Sequence, residues 1–246
     1  MNITDVAKPR VPVAIDTDFV QYLLIRKTTP LLSISLFSLL DRIIVAEPRD
    51  ILLFHIARSD LVIIDDTDFT IEEIKRLTHY LQQFESKLVV ITSQSITTKS
   101  CWSDLSDGIL VDVRETLDIF TCRLMDTIEQ MGFVCLDFAD VSSMFAKMTK
   151  TEFYEGNAIG ESRVVQAMTN AFGSQRFQAT TALLIIFGGT DLTLDEFELA
   201  MKYLEKRLPD NCCLSGAVKM RPECLNTSSL RVSIFLNYDY RNDQYV

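Results

Sequence analysis

Two short, uninterrupted apolar runs, Leu61-Val62-Ile63-Ile64 and Leu88-Val89-Val90-Ile91, stand on either side of a segment whose apolar residues recur at helical spacing. A strand that is apolar at every position is buried on both faces. Two such strands joined through a helix run parallel, because a parallel pair needs a crossover connection. The helix between them has a legible start. Thr70 is placed as N-cap, Glu73 closes a capping box, and Phe69 is placed to staple against Ile74. Its apolar face is Ile71, Ile74, Leu77, Leu81 and Phe84. The alternation extends both ways. Val11 to Ile15 and Ile43 to Ala46 are short apolar runs, the second followed by Glu47-Pro48-Arg49-Asp50 and an apolar helical stretch through Ala57. Ile109 to Val113 is one more strand. The pattern predicts an α/β chain whose first half is a doubly wound parallel sheet.

From Val113 to about Met131 the spacing predicts a helix, with Leu117, Ile119, Phe120, Leu124, Ile128 and Met131 available for burial; it joins the two halves. Beyond it come an extended segment at Phe133 to Leu136, a helix after Asp140, a turn at Gly156 to Gly160, and a helix through Ala171. Thr181 to Phe187 is an apolar strand. Thr193 and Glu196 form a second capping box, opening a helix that ends near Leu208. Strands near 212–219 and 229–237 complete a mixed sheet. The expected organisation is a Rossmann-like or receiver-like domain over 1–112, a linking helix over 113–132, and a second α/β subdomain over 133–246.

The chain has 246 residues, enough for a substantial core, and its 48% hydrophobic share excludes disorder. Lys and Arg number 24 against 34 Asp and Glu, a formal charge of -10. With no basic run longer than a pair, nucleic acid and anionic lipid surfaces are poor partners. The first ten residues lack the apolar core of a signal peptide. The longest apolar stretch, Pro30 to Leu40, is too short to span a bilayer, so a cytoplasmic protein without direct membrane contact is expected. Six cysteines, at 101, 122, 135, 212, 213 and 224, show neither C-x-x-C spacing nor a nearby histidine, which predicts free thiols and no zinc. His55 and His79 fall in helical stretches with no spacing that suggests a nucleophilic site. Trp102 is either a loop anchor or a contact residue.

Two motifs carry a family resemblance. Cys135-Leu136-Asp137-Phe138-Ala139-Asp140 resembles the synergy loop of the bacterial tubulin homologue FtsZ, whose pattern is Asn-x-Asp-Phe-x-Asp. Gly189-Thr190-Asp191-Leu192-Thr193-Leu194-Asp195-Glu196-Phe197 is similar to the same family's Gly-x-Asp-Leu-x-Leu-Asp-Glu-Phe at a helix entry. The resemblance implies an FtsZ-like fold. It also implies that Cys135, Leu136, Asp137, Phe138 and Asp140 form a protein interface, since in the family this loop reaches across a filament contact to a neighbouring subunit. Cys135 replaces the family asparagine and loses an amide donor and acceptor. Asp140 also reads as a cap for a helix beginning at Val141.

The chain departs from the family at its nucleotide loops. Its first glycine is Gly108, whereas a phosphate cradle needs residues without a Cβ so that several N–H groups can converge. Where the family has a glycine-rich loop after a strand, this chain has Asp65-Asp66-Thr67-Asp68, whose carboxylates repel a triphosphate. The same acids could hold Mg²⁺ or accept a phosphoryl group, or simply suit a helix N-terminus. The first half also resembles a degenerate response-regulator receiver, with Asp16 and Asp18 as the acidic pair, Asp65 as phosphoacceptor and Thr92 after the next strand; the receiver lysine is missing near Val111 to Arg114. The expectation is a non-catalytic FtsZ-like protein, without cofactor, that modulates or caps polymers of FtsZ or a related partner. The alternatives are a receiver-like regulator, a self-assembling structural protein and a residual GTPase. The chain also ends at Val246 without the linker and apolar tail peptide of FtsZ, so membrane association is expected to be indirect.

Overall fold

The two doubly apolar runs pair in parallel, Leu61 with Leu88 through Asp65 with Thr92. The computed structural model describes residues 20–27, 43–84, 88–93, 101–102, 105, 109–112, 117–129, 132–134, 136–144, 149–220 and 228–239. The expected strand at Val11 to Ile15, together with Asp16, Asp18, Met131, Cys135 and Cys224, lies outside them. The first half contains parallel strands β1 (Tyr22–Ile25), β2 (Ile43–Ala46), β3 (Leu61–Asp65), β4 (Leu88–Ser93) and β5 (Ile109–Asp112). Helices α1 (Leu53–Ala57) and α2 (Ile71–Leu81) lie between strands. The start of α2 is as the sequence predicts: the Thr70 N–H donates to Glu73 Oε2 at 2.7 Å and the Glu73 N–H to Thr70 Oγ1 at 3.3 Å. Its buried stripe is Ile74, Leu77, Thr78 and Leu81, and this phase leaves Ile71 exposed.

The linking helix is α3, described over Leu117–Glu129, within the expected span. Phe120, Thr121, Cys122, Leu124, Met125, Asp126 and Thr127 are all buried, which is most of its circumference, while Ile119 is exposed. Tyr22, Leu24, Leu61, Ile63 and Val90 from the first half and Leu183, Ile185, Phe187 and Phe235 from the second share one hydrophobic core with α3. That placement explains the burial. The opposite face of the first-half strands packs on α1, α2 and Trp102, so this half is wound on both faces as expected.

The second half contains β6 (Gly132–Val134), α4 (Phe138–Met144), β7 (Thr149–Ile159), α5 (Arg163–Phe172), β8 (Thr181–Gly188), α6 (Leu194–Glu205), β9 (Cys213–Met220) and β10 (Ser229–Asp239). Its sheet is mixed: β10 is antiparallel to β7 and β8, while β8 and β9 are parallel. Parallel pairing of β5 with β7 makes the described strands one ten-stranded sheet, in the order β2-β1-β3-β4-β5-β7-β10-β8-β9-β6. Gly156 lies inside strand β7, not in a turn; the turn follows at Gly160. A Cβ at Gly156 would sit 2.0 Å from the Ala167 carbonyl oxygen, so glycine is there to let α5 lie against the strand.

Candidate functional site

In an open parallel sheet, ligands bind at the carboxyl ends of the strands. At that end β1 delivers Arg26 and Lys27, and its neighbour β3 delivers Asp65, Asp66, Thr67 and Asp68. Arg26 Nη2 lies 3.4 Å from Asp65 Oδ2, and both residues are buried. The other Asp65 oxygen accepts the Thr67 N–H at 3.2 Å. Trp102 Nε1, fully buried, donates to Asp66 Oδ2 at 2.9 Å. Asp68 adopts a left-handed conformation, φ 65°, and its carbonyl accepts from Lys27 Nζ at 2.7 Å. Lys27 also pairs with Glu73 at 2.9 Å and lies over the Phe69 ring. The Lys27 hydrogen bond is the largest cause holding the Glu73 carboxyl below its ordinary value.

The acidic run is therefore pinned by the basic pair of the adjacent strand, and Trp102 is a loop anchor. No group of three His, Cys, Asp or Glu side chains converges as metal ligands among the described residues. The acidic pair of the receiver-like reading lies outside the described residues. The strand between β2 and β3 is β1, and it is followed by Arg26 and Lys27. Those two residues were passed over in the sequence; the signal for them was their position directly after the run Tyr22 to Ile25.

The second candidate is the segment at 136–140. Helix α4 begins at Phe138, so Asp137 rather than Asp140 is its N-cap. The Asp140 N–H donates to Asp137 Oδ1 at 2.8 Å, and the Asp137 N–H donates to Asp140 Oδ2 at 3.1 Å. This is a capping box built from two aspartates, with Asp140 in the position that Glu73 and Glu196 occupy elsewhere. Both carboxylates are exposed. Leu136 and Phe138 are half-buried and pack against the core shared with α3, so they anchor the segment while Asp137, Ala139 and Asp140 face solvent. Phe133, on β6 just before, is 63% exposed and adds an aromatic ring that the sequence reading did not single out.

The second motif turns out to be structural. Thr193 caps α6 through the predicted box, its Oγ1 accepting the Glu196 N–H at 3.2 Å. Asp191 and Glu196 grip the Arg163 guanidinium: Nη1 reaches Asp191 Oδ2 at 2.6 Å, and Nε and Nη2 reach the two Glu196 oxygens at 2.7 and 2.9 Å. The Arg163 side chain is only 6% exposed. Its hydrogen bonds push the Arg163 pKa up and the Glu196 pKa down. This clamp ties the first turns of α5 and α6 together. His55 is half-buried, and its Nδ1 accepts the Leu52 N–H at 3.1 Å; His79 is exposed. Cys101, Cys122, Cys212 and Cys213 are free thiols. Cys212 packs against the second-half core, which pushes its pKa up to about 11, and Cys213 is exposed.

No protein-family model matches the chain. Over 145 residues it is 28% identical to the cell division protein FtsZ of Wolbachia sp, covering 53% of this chain and 34% of that protein. It is 30% identical over 142 residues to FtsZ of Rickettsia felis, covering 52% and 30%, and 34% identical over 151 residues to FtsZ of Rhizobium radiobacter, covering 56% and 25%. Among solved structures, an FtsZ point mutant from M. jannaschii superposes with a TM-score of 0.62 at 16% identity, covering 77% of this chain and 68% of that one. An empty FtsZ dimer from M. jannaschii gives 0.59 at 18%, covering 75% and 65%. The chain is a divergent FtsZ-like protein. The matched part of this FtsZ-like chain spans between 25% and 34% of those three curated relatives. No described helix is long and apolar enough to cross a membrane.

Proposed function

We propose that this FtsZ-like chain holds no nucleotide of its own and acts by contact with a polymerising FtsZ-type partner, as a cap or modulator of its filaments. The observation that carries this reading is the filled crevice at the ends of β1 and β3. Arg26, Asp65, Asp66 and Trp102 are buried there, Arg26 paired with Asp65 and Trp102 donating to Asp66. A phosphate chain entering this crevice would have to break the Arg26–Asp65 pair and face the freed carboxylates, without a glycine turn to supply N–H donors. The family loop has the opposite character. Asp137 and Asp140 are exposed beside the Phe133 ring, on a segment anchored by Leu136 and Phe138. Such a surface suits a partner patch with basic groups around an apolar centre. The relatives are named for cell division, and a subunit with the partner-facing loop but no nucleotide-bearing end would add to a filament at one side only.

The test mixes this chain with a nucleotide-competent FtsZ and reads sedimented filament mass and GTP turnover. Wild type changes one or both, and Asp137→Lys with Asp140→Lys restores the values seen with FtsZ alone while circular dichroism shows an unchanged fold. Equal effects of the two proteins, or none from wild type, would remove the loop from the account.

A further inference from the structure

Asn237 lies inside the sheet, 1% exposed, on β10 between Thr151 of β7 and Thr181 of β8. Nothing in the strand asks for an asparagine there. The residue type is depleted in strands, and a buried amide is costly unless its hydrogen bonds are made. Two residues earlier on the same face, Phe235 simply packs in the core shared with α3. At Asn237 the bonds are made. Its main-chain carbonyl accepts the Thr180 N–H at 2.8 Å and Thr180 Oγ1 at 3.2 Å. Thr151 Oγ1, on a fully buried residue, donates to Asn237 Oδ1 at 2.5 Å, and Asn237 Nδ2 donates to the Met144 carbonyl at 3.3 Å. Met144 decides which way the amide faces, because a carbonyl oxygen only accepts and must meet the nitrogen.

Met144 belongs to α4, the helix that begins at the exposed aspartate box. With β7 starting at Thr149, α4 has no room for the length of about 12 residues at which a helix begins to hold by itself. Packing holds it instead: Val141 is fully buried, and Phe138 and Met144 pack against the same core. Apolar contact is non-directional and leaves a short helix free to shift along the core surface. The Asn237 amide adds a directional bond from sheet to helix. We infer that Asn237 is a positioning residue for the 136–140 segment. By gripping Met144 from β10 it fixes one seat for α4, and so the direction in which Asp137 and Asp140, at the other end of the helix, meet a partner subunit. Being buried, it does not itself reach that partner. The inference rests on the reading of the segment as the partner contact.

Hydrogen exchange of the full chain, read by mass spectrometry alongside the filament assay with a nucleotide-competent FtsZ, tests this role. Asn237→Leu keeps the size of the side chain and removes both of its bonds. It speeds exchange of the α4 amides roughly tenfold, leaves α2 and α5 at their wild-type rates, and weakens the effect on filament mass or GTP turnover. Thr151→Val, the same shape without the hydroxyl, keeps the donor to Met144 and acts in the same direction by a smaller amount; it decides the matter if Asn237→Leu does not fold. Unchanged α4 exchange, or equal acceleration in α2, α4 and α5, would make Asn237 an ordinary core residue and overturn the assignment. A loosened α4 with wild-type action on filaments would overturn it too. The two readings fail separately. A wild type without effect on FtsZ removes the partner contact and this role with it. Loss of the effect in Asp137→Lys with Asp140→Lys, but full effect in Asn237→Leu, removes the positioning role alone.

Discussion

Arg163 is a charged side chain taken almost wholly out of solvent, and its four hydrogen bonds to Asp191 and Glu196 make that tolerable. Arg163→Ala leaves two carboxylates facing each other without their cation, and urea unfolding should show a loss of about 3 kcal/mol. The sign of the pH dependence follows from Glu196, whose folded pKa lies below its ordinary 4.5. A depressed folded pKa adds stability that is fully present above the unfolded pKa and is lost as pH falls through the folded one. Wild type should therefore lose part of its stability as pH steps down below 4.5, and Arg163→Ala should lose less over the same steps. At Trp102 the polar partner is the single hydrogen bond from Nε1 to Asp66. Trp102→Phe should cost about 2 kcal/mol in the same unfolding measurement, because Asp66 stays buried.

Two helix starts were legible because capping chemistry is local: Thr70 with Glu73 and Thr193 with Glu196 can be recognised three residues apart without knowing what the helix packs on. The aspartate version at Asp137 and Asp140 was misread by three residues, with Asp140 taken as the cap, since a lone aspartate before a helical pattern gives no sign of its reciprocal partner. Asp137→Ala should cost about 1 kcal/mol by thermal or urea unfolding, with helix α4 as the element that frays. Gly156 was misread for a different reason. Glycine inside an apolar strand looks like a turn until the helix lying on it is known, and that helix, α5, is brought there by tertiary packing. Gly156→Ala should be among the costliest single changes in the second half, about 3 kcal/mol, because the added methyl meets backbone at Ala167 and Ala171 rather than a movable side chain. Strand β1 was missed because Tyr22 to Ile25 is a run of only four residues that stands between the apolar run at Val11 to Ile15 and the longer stretch from Pro30 to Leu40.

Over the whole molecule, the α/β class, the parallel first half, the linking helix and the mixed second half were all legible from the order of apolar runs. The joining of both halves into one sheet was not, since β5–β7 pairing depends on where α3 lays the second half down. Of the candidate sites, the exposed segment at 136–140 could be singled out from its motif, whereas the cluster at the ends of β1 and β3 could be read only in half. The acids were visible as a run; the cations that neutralise them sit on another strand, and register alone brings Arg26 to Asp65. The central claim is that these side chains occupy the place of a nucleotide. Isothermal titration of GTP and of GDP, each with Mg²⁺, into the full chain tests it most directly, with the fluorescence of Trp102, the only tryptophan, followed in parallel. The account predicts no binding heat and no change in the Trp102 signal for either nucleotide. Saturable micromolar binding accompanied by a shift in Trp102 emission would contradict it, because it would mean that the Arg26–Asp65 and Trp102–Asp66 contacts open to admit a phosphate chain.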